Sequence, residues 1–365
     1  MRTRLVVGGS ILLCILTGAS SGGTHAQTSP AQGPLPATQA GGPGRGPARP
    51  PLLPTPPLTT APTPDADGNF VIGPPYTPAP ELTVKDGVPK GTIHEFTMDS
   101  KDSRIYSGIG RNQPGVVVPY TRQVAVYVPA QYVAGTPAPF IIAQDGMSPT
   151  YRGNLPPILD NLIHEKRVPP IVAVMVHNGG GDAQGSQRGL EYDTVSGVYT
   201  DFIETEVLPR VTKEYGIAFT TDPEGRATMG GSSGAACAFT MAWFHPELYR
   251  RVLSYSGTYV NQQSPLSPVT PRGAWEYHAT LIPYSPAKPI RVWMHVSEFD
   301  NRYSDQEETW HNWVLANDRM AAALKAKGYQ YQYVYSRDSR HVDRAVVAQT
   351  LPEALEWLWR GYRSR

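Results

Sequence analysis

Charge is scarce in this chain. Only 17% of its 365 residues are Asp, Glu, Lys or Arg, and the formal net charge is +1, against roughly 25% charged residues in ordinary soluble chains. Without a basic excess there is nothing to neutralise a phosphate backbone, so nucleic acid is not an expected partner. Cysteine is scarcer still. Of the two, Cys14 sits in an N-terminal apolar run, which leaves Cys237 alone and unable to form an internal disulfide. Stability then has to come from a sizeable core. The sequence has no HExxH, no CxxC pair and no P-loop, and His94, His164, His177 and His245 show no ligand spacing. No metal and no cofactor is implied. The longest apolar run, Leu5 to Leu16, falls short of the roughly 20 residues that span a bilayer.

Proline and glycine, by contrast, are abundant, at 37 and 35 residues. That is too much for one compact domain throughout. Arg2 and Arg4 precede the apolar run, and small and polar residues lead to Thr24-His25-Ala26. This order reads as a cleaved secretory signal over residues 1–26, which would place the protein in the periplasm or outside the cell, with no stable membrane insertion after cleavage. From Thr28 to Pro64 there are 12 prolines, 5 glycines and no aromatic residue. Such a stretch cannot bury enough apolar surface to offset its ordering entropy. Residues 27–80 are therefore expected to be a disordered linker, and 81–365 the folded domain.

Within that domain, His94, Phe96 and Met98 alternate, as do Val124, Val126 and Val128, both in strand periodicity. PFIIAQD (139–145) and PIVAVMV (170–176) are continuous apolar runs, as in strands buried on both faces. RATMGG, RVLSYSG and IRVWMHV are further strands separated by helical sequence. Trp313, Ala316, Met320 and Leu324 line one face of a helix, and Leu351, Leu355 and Leu358 line another. Alternating strands and helices predict a mostly parallel sheet flanked by helices, with antiparallel strands at its leading edge.

The chemistry concentrates at Met229-Gly230-Gly231-Ser232-Ser233-Gly234-Ala235-Ala236-Cys237. It contains G-x-S-x-G centred on Ser232, between a short strand and a small-residue helix, which is the setting of a nucleophile elbow. The Ser233 amide, at the start of that helix, is the natural first donor to an oxyanion. Ser233 itself lacks a glycine two residues on. A serine nucleophile needs a base oriented by a carboxylate. In this fold the chain order is Ser, acid, His, with the last two on loops after later strands. The strand Ile290 to Val296 is followed by Glu298 and Asp300, and spacing alone does not choose between them. The later histidines are His311, at the start of a helix, and His341, after the strand YQYVYS and before the last helix. His341 stands in the expected place for the base.

Residues 85 to 362 resemble the putative-esterase branch of the α/β-hydrolases, which includes the esterase D and enterochelin-esterase-like proteins. The resemblance is carried by FIIAQDGMSPTYRGNLPPILDNLI, RGLEYDTVSGVYTDFIETEVLPRV, the elbow segment and WVLANDRMAAALKAKGYQYQYVY. It implies an α/β-hydrolase fold, Ser232 as nucleophile, His341 as base, and Glu298 rather than Asp300 as acid. It also places the second oxyanion amide in Gln144-Asp145-Gly146, at Gly146. Relatives have a small residue before the base histidine, where this chain has Arg340.

Asp145, Arg188, Glu191 and Trp275 are candidate substrate-binding residues. Arg188, Glu191 and Asp193 suit either a site wall or a loop brace. The aromatic-rich segment 258–288 suits either a lid or a self-packed loop. Cys237 reads as buried helix packing. The expected activity is hydrolysis of a small-molecule or carbohydrate-linked carboxylic ester through an acyl-enzyme. The alternatives are acyl transfer by the same triad and a non-catalytic, glycan-binding relative, against which the intact elbow argues. Oligomeric state and the identity of the ester are not encoded in any motif.

Overall fold

Strand parity in this chain divides the apolar residues into two cores. In a computed structural model, which describes residues 54–109, 115–179, 187–263 and 266–363, the strands are β1 (Gly68–Ile72), β2 (Thr92–Asp99), β3 (Thr121–Val128), β4 (Phe140–Gln144), β5 (Val172–Val176), β6 (Arg226–Gly231), β7 (Arg251–Tyr255), β8 (Arg291–Phe299) and β9 (Gln330–Arg340). The helices are α1 (Pro149–His164), α2 (Gln187–Tyr192), α3 (Val198–Phe202), α4 (Leu208–Tyr215), α5 (Ser233–Phe244), α6 (Ile282–Tyr284), α7 (Trp313–Ala326) and α8 (Arg344–Trp359), with a π turn over Ile203–Val207 joining α3 to α4.

The strands form one sheet in the order β1-β9-β8-β7-β6-β4-β5-β3-β2. From β1 to β5 every neighbouring pair is parallel; β3 runs antiparallel to β5, and β2 antiparallel to β3. β4 to β7 are buried along their whole length, as their continuous apolar character requires, whereas edge strand β2 is mostly exposed. Phe140, Ile142, Val172, Val174, Val292 and Met294 face the core under α3, α4, α5 and α7. Ile141, Ala143, Ala173, Met175 and Trp293 face the opposite core, under α1 and α8. The α/β-hydrolase architecture expected from the alternation of elements is the one observed. The chain winds from β4 outward to β5 and then returns to β6 on the other side. The carboxyl ends of β4 and β6 therefore flank a switch in winding direction, where open α/β sheets place their ligands.

One boundary is corrected. The sequence reading put a disordered linker up to residue 80, but β1 lies inside that stretch and pairs with β9 from Gly68↔Gln332 to Ile72↔Ser336. The chain around it is held by side chains of the domain: Gln332 Nε2 donates to the carbonyls of Thr63 and Ala66, and Trp357 Nε1 to Asp67 Oδ1. Low complexity hid it, because proline-rich backbone that cannot build a core can still add to one. The expected signal peptide at 1–26, and the linker up to residue 53, lie outside the described residues.

Candidate active site

Ser232 sits where β6 ends and α5 begins, at φ 59° and ψ −128°, a conformation that costs a non-glycine residue energy and is kept only where the surroundings enforce it. The surroundings here are specific. The Ser232 amide donates to Tyr255 O at 2.9 Å, and Thr258 N donates to Ser232 O at 3.2 Å. A Cβ on Gly230 would stand 2.4 Å from the Gly234 carbonyl carbon, so the sharp turn needs glycine there. A Cβ on Gly231 would lie 2.9 Å from the Tyr151 hydroxyl and 3.1 Å from Val342 Cγ1. The residue before the serine thus packs against the residue after His341.

His341 Nδ1 lies 2.5 Å from Asp300 Oδ1. Asp300 is fully buried and also accepts from the amides of Asn301, at 2.7 Å, and Ser297, at 3.3 Å. Burial by itself would raise its pKa, but the hydrogen bond and charge of His341, with the Ser256 hydroxyl and the Asn301 amide, hold the carboxyl below its ordinary value. Glu298, the acid implied by the resemblance, is elsewhere. Its Oε2 accepts from the Asp338 amide at 2.7 Å and its Oε1 from the Thr55 hydroxyl. The reason is a register shift between Ser297 and Phe299 at the end of β8. Glu298 is still on the strand, while Asp300 has turned off its end toward the imidazole.

Ser232 and His341 line one cavity of about 500 Å³ with Asp145, Met147, Ser148, Thr150, Tyr151, His177, Arg188 and Val342. Ser232 Oγ lies 3.4 Å from Thr258 Oγ1, and among the described residues no hydrogen bond joins it to His341. Unliganded sites often hold such contacts open.

The amides at the site divide clearly. The Ser233 amide, first in α5, has no acceptor among the described residues. In the β4–α1 turn, Asp145 N donates to the Tyr192 hydroxyl at 3.2 Å and Gly146 N to Val176 O at 3.3 Å, while Ser148 N donates to Asp145 O at 2.9 Å. Among the described residues that leaves the Met147 amide without an acceptor, on a residue that lines the cavity. Gly146 is the residue expected to supply the second oxyanion amide. Its own amide is engaged, and a Cβ on it would fall 2.5 Å from Met175 Cβ, so its glycine identity serves packing.

Of the four substrate-binding candidates, two line the cavity. Arg188 Nη2 donates to Asp145 Oδ2 at 2.6 Å, and Asn178 holds the same carboxylate. Glu191 does not line it: it is fully buried and accepts from Arg122 Nη1 at 2.7 Å, Tyr120 at 3.1 Å and Gln187 at 2.6 Å, which makes it a brace. Trp275 is 2% exposed and stacked edge-on against His278 at 4.5 Å in the core; Tyr259 and Tyr277 of the same segment are buried as well, while Tyr284 is exposed. Cys237 is buried, and burial pushes its thiol well above the usual value. Tyr151 escaped the sequence reading. Its hydroxyl is buried, has no hydrogen-bond partner among the described residues and sits beside Gly231; a tyrosine in a helix carries no local signal for a place on the cavity wall.

Comparison with known proteins gives a consistent set. The family profile described as Putative esterase matches residues 117–358. No curated protein matches the sequence. Among solved structures, the enterobactin esterase FES from Shigella flexneri is similar at 17% identity and a TM-score of 0.53, over 76% of this chain and 61% of that one. A ferulic acid esterase is similar at 16% identity and TM-score 0.53, over 75% of this chain and 100% of its own. A mutant of the feruloyl esterase module from Clostridium thermocellum, complexed with sinapinate, is similar at 15% identity and TM-score 0.51, over 80% and 95%. The chain spans about three fifths of the length of the enterobactin esterases it matches. No helix among the described residues is long and apolar enough to cross a membrane.

Proposed function

This chain belongs to the Putative esterase family of α/β-hydrolases, and from that premise we propose that it hydrolyses a carboxylic ester with Ser232 as nucleophile, His341 as base and Asp300 as the orienting acid. The observation that carries the reading is the meeting of an elbow serine at φ 59° with an acid-paired imidazole on one cavity wall.

Asp300 accepts a hydrogen bond from the Nδ1–H of His341, which leaves Nε2 unprotonated and free to remove the Ser232 proton as Oγ attacks the acyl carbon. The negative charge that develops on the carbonyl oxygen meets the amides of Met147 and Ser233 and the positive end of α5. His341 then protonates the departing alcohol, an acyl-enzyme remains, and water activated by the same imidazole releases the acid. The Asp145–Arg188 pair and His177 set polar groups into a wall that also carries Met147, Pro149 and Val342, which suits a small-molecule ester with oxygen-bearing groups beside the scissile bond. We further propose, from Arg2, Arg4 and the run Leu5 to Leu16, that the protein is exported; the N-terminal sequence of the mature chain checks this.

The test of the reaction is covalent. Wild type should be labelled by a fluorophosphonate probe, and Ser232→Ala should escape labelling, keep its melting temperature and lose kcat by on the order of 10⁴. If Ser233→Ala is the more damaging change, the nucleophile is misassigned.

A further inference from the structure

The loop that carries His341 is strained and almost fully tied down. Asp338 and Val342, three before and one after the proposed base, have φ of 48° and 46°, in the left-handed region that ordinary side chains avoid and β-branched ones most of all. Such a loop keeps its shape only through external contacts. The Val342 amide donates to Ser256 Oγ at 3.0 Å, and the Arg340 carbonyl accepts from Ser297 Oγ at 2.6 Å; Ser297 is on β8 and Ser256 directly follows β7.

Two further anchors involve the segment that carries β1, one directly and one through Glu298 on β8. The Tyr76 hydroxyl donates to the Arg337 carbonyl, and the Asp338 amide donates to Glu298 Oε2, whose other oxygen accepts from the Thr55 hydroxyl. Between these points the segment is itself fixed. Thr59 N donates to Val71 O at 3.0 Å and Val71 N to Thr59 Oγ1 at 2.9 Å. Leu58 lies against Gly73, where a Cβ would come within 2.8 Å of its Cδ2. Beyond Tyr76 the chain is tied to α8, through Thr77 N to Gln349 Oε1 at 2.8 Å and Ala79 N to Ala348 O at 3.0 Å.

We propose that residues 55–76 form a strap that positions the proposed catalytic base, with Glu298 and Tyr76 as positioning residues acting through the backbone of Arg337 and Asp338. This rests on His341 being the base. Glu298 then serves the reaction, though not as the triad acid: it fixes the peptide from which the His341 loop departs. Its contact is to a neutral amide, so the charge is dispensable and the oxygen acceptor is not. An error of a fraction of an ångström in the imidazole lowers the rate without touching the acyl cavity.

The full-length protein decides this through a split of kinetic parameters on one soluble ester. Glu298→Ala and the double variant Thr55→Val/Tyr76→Phe should each lower kcat about tenfold, with KM within a factor of two of wild type and labelling by the fluorophosphonate slowed in proportion. Glu298→Gln, which keeps an acceptor for the Asp338 amide, should restore most of the loss. Melting curves recorded alongside separate positioning from unfolding, since the assay temperature can be held well below every transition. Unchanged kcat in Glu298→Ala and in the double variant overturns the strap. A collapse of kcat in Glu298→Gln as deep as in Glu298→Ala also overturns it, since charge would then be the requirement. Failure of wild type to be labelled, by contrast, would remove the serine mechanism and not the strap alone.

Discussion

A carboxylate bound to Nδ1 of an imidazole fixes which ring nitrogen carries the proton, and an amide in its place can invert that choice. Asp300→Asn is therefore expected to lower kcat by on the order of 10⁴ while leaving substrate binding nearly unchanged. Kinetics on a small soluble ester measure both, and a loss under tenfold would remove Asp300 from the mechanism. The nucleophile side of this site was readable because its determinants are local: strand, glycines, serine and small-residue helix lie within a dozen residues, and each has a mechanical reason. The acid was not readable to the same degree. Glu298 and Asp300 are two positions apart, and the choice between them depends on the register shift of β8 against β9, a relation between distant segments. The proposed oxyanion donors divide the same way. Ser233 follows from the elbow itself, whereas Met147 emerges only after the Gly146 amide is found bonded to Val176, on the neighbouring strand.

At the scale of elements, the strands and helices from β2 to α8 follow the periodicities in the sequence, and β1 is the exception. Its five residues, GNFVI, stand among prolines and polar residues, and what makes them a strand is the open edge of β9. Tyr331 hydrogen-bonds to Asn69 Oδ1 at 2.8 Å, and Arg360 Nη2 to Asp67 Oδ1 at 2.7 Å. A variant starting at Pro54 should therefore match the full chain in solubility and kcat/KM. One starting at Glu81 would bare the β9 edge, together with Tyr331, Tyr333 and Tyr335, which are now buried. Exposed backbone and apolar side chains on an edge strand invite association, so that variant should be recovered mainly as aggregate, as gel filtration would show. If it stays monomeric and active, β1 is an ornament on the sheet and the strap cannot position the base.

For the molecule as a whole, buried histidines and a buried carboxyl set opposite slopes of stability against pH. His295, on β8, is fully buried, and burial lowers its pKa to about 4, against about 6.5 for the unfolded chain. As pH falls from about 6.5 to about 4 the unfolded state gains a proton that the folded state refuses, so stability falls with acidification across that window. Glu353, on α8, has both carboxylate oxygens buried, and burial raises its pKa to about 8 against the lowering effect of the Gln332 amide, with Glu356 one turn on adding to the rise. The unfolded carboxyl ionises above about 4.3, so stability falls as pH rises from there to about 8. Each slope is about 1.4 kcal/mol per pH unit. His278, buried beside Trp275, has its pKa lowered to about 3 and adds a second acid-side slope, so between about 4.3 and 6.5 the two histidines outweigh Glu353, and above about 6.5 only the Glu353 slope is left. Below about 4, Asp300 adds to the acid side, since its depressed pKa gives stability that is lost as it protonates. Melting temperature should therefore be highest at about pH 6.5 and decline from there toward pH 8, by several degrees, and toward pH 4. Glu353→Gln has no proton to lose and should abolish the alkaline decline while leaving the acid limb in place. Melting scans of both proteins across pH 4 to 8 measure the difference directly, with every other titrating group common to the two. Parallel curves would mean that the Glu353 carboxyl is ionised in the fold and that its burial is relieved by water.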